Sequence, residues 1–295
     1  MASLVVSRLF APTNKGHQII VLQSPESRAL NVGSILVAKN KKIFTPGRLT
    51  LAHTREHLTY TTTVQSLQQP QVKKILARAK SISTITILRE TLACRLGSAL
   101  FEVGISRHYG DAFIGATHIK GDGDIKTAYL YENTEGLTPD GLWILADSIC
   151  MGRNTSRAFS SLLAKFHPRE ILVLGPIASR RGINIISDVI ATHAIPTTFV
   201  AWGALFGVDE KSLYDMPWGH KDTEPLYDRD QQFFLDMYGP KLCVGGDFGN
   251  DYYSPELAID LYKTQLRDHS ITPHIPSVSE ALKVYTKKEL VFTKV

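Results

Sequence analysis

The stretch from Gly141 to Leu163 constrains the fold of this chain more than any other. Leu142, Trp143, Ile144, Leu145 and Ala146 form an apolar run that ends at one carboxylate, Asp147. A turn of small and polar residues follows, Cys150-Met151-Gly152-Arg153-Asn154-Thr155. Ala158, Phe159, Leu162 and Leu163 then recur at helical spacing. The pattern predicts a buried strand feeding a loop that opens a helix. Such a loop turns its backbone N–H groups, and the positive end of the helix, toward whatever lies above the strand's C-terminal edge. An anionic group, phosphate above all, suits that place, and Asp147 lies where an acid could hold ribose hydroxyls or a metal bound to them.

The remaining elements alternate in the same manner. Ile82–Ile87 reads as a strand running into Leu88-Arg89-Glu90-Thr91, with a helix through Leu92, Leu96 and Leu100. Phe113–Ala116 and Thr127–Tyr131 read as strands flanking the turn Gly121-Asp122-Gly123-Asp124. Ile171–Ala178 is a continuous apolar strand, a helix is predicted from Arg181-Gly182 through Ile190, and Thr197–Trp202 is the next strand. Strands alternating with helices predict an α/β fold built on a mainly parallel sheet with helices on both faces. Sites on such sheets lie at the strand C-termini, where Arg89, Asp147 and the residues after Trp202 would converge.

Three segments together resemble the phosphoribosyltransferases, most closely the uracil branch. That family runs from a strand into Asp-Pro-Met-Leu-Ala-Thr-Gly-Gly-Ser and a helix. Asp147 keeps the acid and Thr155 the terminal hydroxyl, whereas Ser148, Gly152, Arg153 and Asn154 replace Pro, Thr, Gly and Gly. Leu88-Arg89 resembles the family's Leu-Arg-Ala-Gly-Leu, with Glu90 and Thr91 departing from it. Leu213-Tyr214-Asp215-Met216-Pro217-Trp218-Gly219, then Asp228-Arg229-Asp230 and Met237-Tyr238-Gly239, resemble the two halves of its base-reading segment, separated by an insertion from His220 to Tyr227. The resemblance spans about residues 80 to 240.

It implies a phosphoribosyltransferase-like fold with a protruding β-hairpin that carries Lys120, Lys126 and Tyr129, in a domain over residues 51–240. A β-rich N-terminal extension would occupy residues 1–50, and a C-terminal extension packed on the same domain residues 241–295. It implies phosphoribosyl transfer from 5-phosphoribosyl 1-diphosphate, with Mg²⁺, to a nitrogenous base such as a uracil-like pyrimidine or related ring. By the same resemblance Arg89 would serve the diphosphate and Asp147 the ribose hydroxyls. Gly152, Arg153, Asn154, Thr155 and Ser156 would hold the 5'-phosphate. Met216, Pro217, Trp218, Gly219 and Asp228 would bind the base, with Asp222 and Asp230 competing for the role of Asp228. No protein side chain is assigned to the metal, and a homodimer is expected. The lost glycines and the Glu90-Thr91 exchange leave an alternative open: a catalytically degenerate relative acting as a nucleotide-sensing or interaction module.

Composition adds bounds. The chain has 295 residues, 43% hydrophobic and 21% charged, which suits one large globular domain with a core. A net charge of +5 fits anionic small molecules. No concentrated basic stripe or RNA-binding aromatic motif is present, so nucleic acid is not an expected partner. Three scattered cysteines make neither a disulfide framework nor a zinc site, and with no leader or spanning stretch the expected location is the cytoplasm, away from membranes. His53 and His57 share a helix face but lack an acidic partner at ligand spacing.

Overall fold

In a computed structural model, the described residues are 5–38, 41–50, 52–88, 90–120, 125–210 and 215–243, with 260, 263, 264, 266, 267 and 270. In chain order the elements begin with β1 (Val6–Phe10), β2 (Gln18–Gln23), α1 (Pro25–Asn31), β3 (Gly33–Ala38) and β4 (Lys41–Pro46). They continue through α2 (Ala52–Leu67), α3 (Pro70–Arg78), β5 (Ile82–Leu88), α4 (Leu96–Glu102), β6 (His108–Lys120), β7 (Ile125–Asn133), β8 (Leu142–Ala146) and α5 (Arg153–Leu163). The last are β9 (Glu170–Gly175), β10 (Ala178–Ser179), α6 (Arg180–Ala191), β11 (Thr197–Trp202), β12 (Ala204–Phe206), β13 (Glu224–Pro225) and α7 (Asp228–Tyr238).

Eight strands form one sheet in the order β1-β2-β11-β9-β8-β5-β6-β7. The six inner strands are parallel, and only the edge pairs β1–β2 and β6–β7 are antiparallel. The inner strands are apolar on both faces because helices cover both, as a parallel sheet requires. On β8, Trp143 and Leu145 point to the side packed by Phe159 and Leu162 of α5 and Ile186 of α6. Leu142, Ile144 and Ala146 point to the side packed by Leu67, Ile75 and Leu100 of α2, α3 and α4.

Chain tracing locates the crevice. From β5 the chain passes to β6 on one side, then returns through β7 to β8 on the other, and from there proceeds to β9 and β11. The helix after β5 packs on one face, the helix after β8 on the opposite face. The order therefore reverses between β5 and β8, and such a switch point is where open α/β sheets bind ligands.

Two features differ from the sequence expectation. β1 and β2, from the expected N-terminal extension, are strands of the main sheet: Ile19, Ile20, Val21 and Leu22 are all fully buried and Gln18–Leu22 pairs in parallel with β11. Only the β3–β4 hairpin forms a separate small sheet. The expected short strand Phe113–Ala116 is the middle of a longer one. β5 ends opposite Gly115, while β6 runs five residues further, so the β6–β7 hairpin overreaches the sheet by roughly 17 Å at strand rise. The side chains of Lys120, Lys126 and Tyr129 lie outside the described residues.

A third apolar cluster caps the C-terminal edge. Cys150, Met151 and Ile177 from the loops pack with Phe206, Met216, Trp218, Phe234 and Tyr238. Leu242 and Cys243 belong to it and Leu266 packs against it; most of residues 244–295 lies outside the described residues. No described helix is long and apolar enough to cross a membrane.

Candidate functional site

The parallel ladder continues one step past β8: the Asp147 N–H donates to the Leu174 carbonyl at 3.1 Å. This fixes the carboxylate at the edge, and the residue is only 8% exposed. Eight residues on, in the first turn of α5, the Thr155 hydroxyl donates to Asp147 Oδ2. Thr155 itself has no exposed surface, so this hydroxyl is held against the carboxylate and not against solvent.

The loop between them is tied down on its outer side. Ile149 N–H donates to Ile177 O at 2.8 Å and Ser179 N–H to Ile149 O at 2.8 Å. The Ser179 hydroxyl donates to Cys150 O and accepts from Gly182 N–H, capping α6. Gly152 has φ +66°, and a Cβ there would lie 2.5 Å from Gly182 O. A Cβ on Gly182 would lie 2.3 Å from Cys150 O. The N-terminal turns of α5 and α6 thus meet backbone to backbone, which two glycines alone permit.

Arg153 and Asn154, half-buried, occupy the first turn of α5. The Ser156 N–H closes the first helical bond to Gly152 O at 2.8 Å, which removes it from the set of free donors at the helix start. The Ser156 and Ser148 hydroxyls are buried without a partner, a feature the sequence reading passed over for Ser148. Arg89 lies outside the described residues. Its neighbour Leu88 ends β5, the strand paired with β8, and the buried Thr91 hydroxyl donates to Ile87 O and shapes the turn that follows.

The base-reading candidates lie beside this loop, joined to it through Cys150 and Met151. Met216 is fully buried and Trp218 is 1% exposed. The Trp218 indole N–H donates to Asn31 O at 3.0 Å, and its ring meets Phe206 edge-on at 4.8 Å. Gly219 lies against Pro240 and its N–H donates to Pro240 O at 3.2 Å. Pro217 is half-buried, and Asp228 is exposed at the start of α7. Asp230 is buried and accepts from Gln23 Nε2 at 2.6 Å and Arg28 Nε at 2.8 Å, tying α7 to β2 and α1. Asp222 is exposed.

Two charges that the sequence reading did not single out flank the loop. Burial pushes the Cys150 thiol up to about 12, the Asp215 carboxylate pushes the same way, and Arg181 opposes them. Cys150 is therefore an inert core thiol. Asp215 directly precedes the Met216-Pro217 pair, and Arg181 lies in the first turn of α6, so adjacency to two recognised segments was the available signal.

No known family model matches the sequence, and no curated protein matches it. Among solved structures, the chain is similar to adenine phosphoribosyltransferase from Trypanosoma brucei, at 12% identity over 66% of this chain and 87% of that one, with a TM-score of 0.38. It is similar to the same enzyme from Leishmania tarentolae, at 10% identity, 66% and 94% coverage and a TM-score of 0.35. It is also similar to a purine phosphoribosyltransferase from Pyrococcus horikoshii, at 15% identity, 52% and 94% coverage and a TM-score of 0.29. Likeness at this level assigns no activity; the architecture described above rests on the strand order itself.

Proposed function

We propose that this chain is a phosphoribosyltransferase, moving the phosphoribosyl group of 5-phosphoribosyl 1-diphosphate onto a ring nitrogen of a nucleobase-like acceptor. The observation that carries the proposal is the position of Asp147 at the switch point between β5 and β8, bonded to the first-turn hydroxyl of α5. An acid and a helix start at one crevice suit a sugar on one side and its phosphate on the other.

In this reading Asp147 accepts from the ribose 2'- and 3'-hydroxyls. The N–H groups opening α5, with Arg153, face the 5'-phosphate, and Arg89 pairs with the diphosphate. The C1'–O bond breaks with its electron pair leaving on the diphosphate, the acceptor nitrogen closes on an oxocarbenium-like carbon, and the proton that nitrogen carried passes to the departing diphosphate or to water. Catalysis then consists of orienting the acceptor and matching the leaving group's charge. Mg²⁺ shields that charge when bound. The acceptor, a uracil-like pyrimidine or related ring, would bind along the backbone of residues 216–219, since Met216 and Trp218 direct their side chains into the core.

A second reading has its own support. The Thr155 hydroxyl is already spent on Asp147 and the residues after Met216 are packed, which also suits a degenerate module that binds nucleotides without turnover. Calorimetric titration of the full chain with the diphosphate donor and Mg²⁺ tests the main proposal. Mg²⁺-dependent binding is expected, lost in Asp147→Asn, with diphosphate released once the right base is added. Absence of binding at millimolar donor would sink the transferase, and binding without turnover across a base screen would favour the module.

A further inference from the structure

At the opposite edge of the sheet from Asp147, α2, α4 and the start of β6 enclose an open cleft of about 640 Å³. His108 pairs with Ile82, the first residue of β5, so the cleft lies roughly 20 Å along that strand from the C-terminal edge. Its size is within the range of small-molecule sites.

The lining combines aromatic rings with two carboxylates held by neutral groups. The Tyr60 hydroxyl donates to Glu102, and the Thr84 hydroxyl donates to Asp111. His108 Nε2 stands 3.3 Å from Asp111 Oδ1 and 3.1 Å from Gly110 O. Among the described residues neither carboxylate is ion-paired with lysine or arginine. Arg95 lies over the Tyr60 ring at 4.9 Å. The phenol is accordingly pushed up, first by its bond to Glu102, then by burial and the Glu102 charge, with Arg95 opposing. Phe101 leaves 82% of its surface exposed at the rim, an unusual position for a large apolar ring. α4 can approach this closely because Gly97 has no side chain: a Cβ there would meet His108 Cε1 at 3.1 Å.

We propose that this cleft binds a small organic cation, an amine or guanidinium carried on an apolar or ring-bearing body, between the Glu102 and Asp111 carboxylates and the Phe101 and Tyr60 rings. The two carboxylates line the cleft on a chain whose net charge is +5. The cleft is thus a place where a cation is drawn in and an anionic sugar phosphate is repelled. The carboxylates supply charge-assisted hydrogen bonds to the ammonium head, and the exposed ring covers the apolar body. The cleft shares no residue with the phosphoribosyl site and stands without that reading.

The test uses benzylamine as probe on the full chain, by ligand-observed NMR titration, with benzyl alcohol as the uncharged control. Saturable millimolar binding of the amine and not the alcohol is expected. Glu102→Gln and Phe101→Ala should each weaken it about fivefold or more, consistent with losing a charged acceptor or a ring face. Phe101 is too exposed for its loss to threaten folding, so that variant keeps the test valid if the acid variant is unstable. Asp147→Asn should leave amine binding unchanged. Equal binding of the alcohol, no saturable binding, wild-type affinity in both cleft variants, or tighter capture of a blocked lysine peptide would overturn the proposal.

Discussion

At Gly152 a positive φ and a neighbouring carbonyl act together. Alanine there would be strained by its backbone and would also place a methyl 2.5 Å from Gly182 O. Gly152→Ala is therefore expected to destabilise the protein by about 2–4 kcal/mol, measured by urea denaturation. Because Asp147 and Thr155 flank this turn, the same change should weaken donor binding beyond the stability loss. Asp147→Asn is different in kind. It keeps shape and the acceptor for Thr155, so its expected signature is lost donor affinity with little change in denaturation midpoint.

At the scale of elements, the cap over the strand ends is held by few side chains. Trp218 fills the space between Phe206 and Phe234 and spends its only donor on Asn31 O. Trp218→Ala should cost about 3–5 kcal/mol, read as a lower chemical-denaturation midpoint. The turn before β2 is pinned to α6 differently: Thr13 and Ser187 hydroxyls lie 2.8 Å apart, and Ser187 Oγ lies 2.9 Å from His17 Nδ1. Burial lowers the His17 imidazole below its ordinary value. The unfolded chain then binds the proton more readily, so this contribution is complete above about pH 6.5 and is lost as pH falls through the depressed folded value. Thermal midpoints at pH 7.5 and 5.5 should drop more for the wild type than for His17→Gln.

For the whole molecule, much of the parallel sheet was legible because burial on both faces writes itself as unbroken apolar runs. Thr197–Trp202 needed nothing more, whereas the expected strand Ile171–Ala178 divides: β9 ends at Gly175, and Ala178 opens β10 in a second sheet. The helix α6 starts one residue before its expected position, within ordinary fraying. The role of β2 was hidden, since an apolar run of that length does not say which sheet it joins. The protruding hairpin was anticipated from the resemblance, but its length was not, because His108–Asp111 and Thr117–Lys120 lack the unbroken apolar run of the inner strands. The direction of Met216 and Trp218 could not be read either: an aromatic beside a glycine looks the same in a pocket or in a core. Asp147 and Thr155 were singled out as an eight-residue spacing, and only coordinates could bring their oxygens together.

The contact between Gly152 and Gly182 carries a mechanical consequence. With no side chain between the two backbones there is nothing compliant to absorb a shift. A displacement of the turn behind Asp147 on arrival of a charged guest would be handed directly to the head of the neighbouring helix. From there it would pass to the Arg180–Glu224 pair that anchors β13. Whatever fills the crevice would thereby be sensed at the far rim of the cap without any residue in between having to change partners.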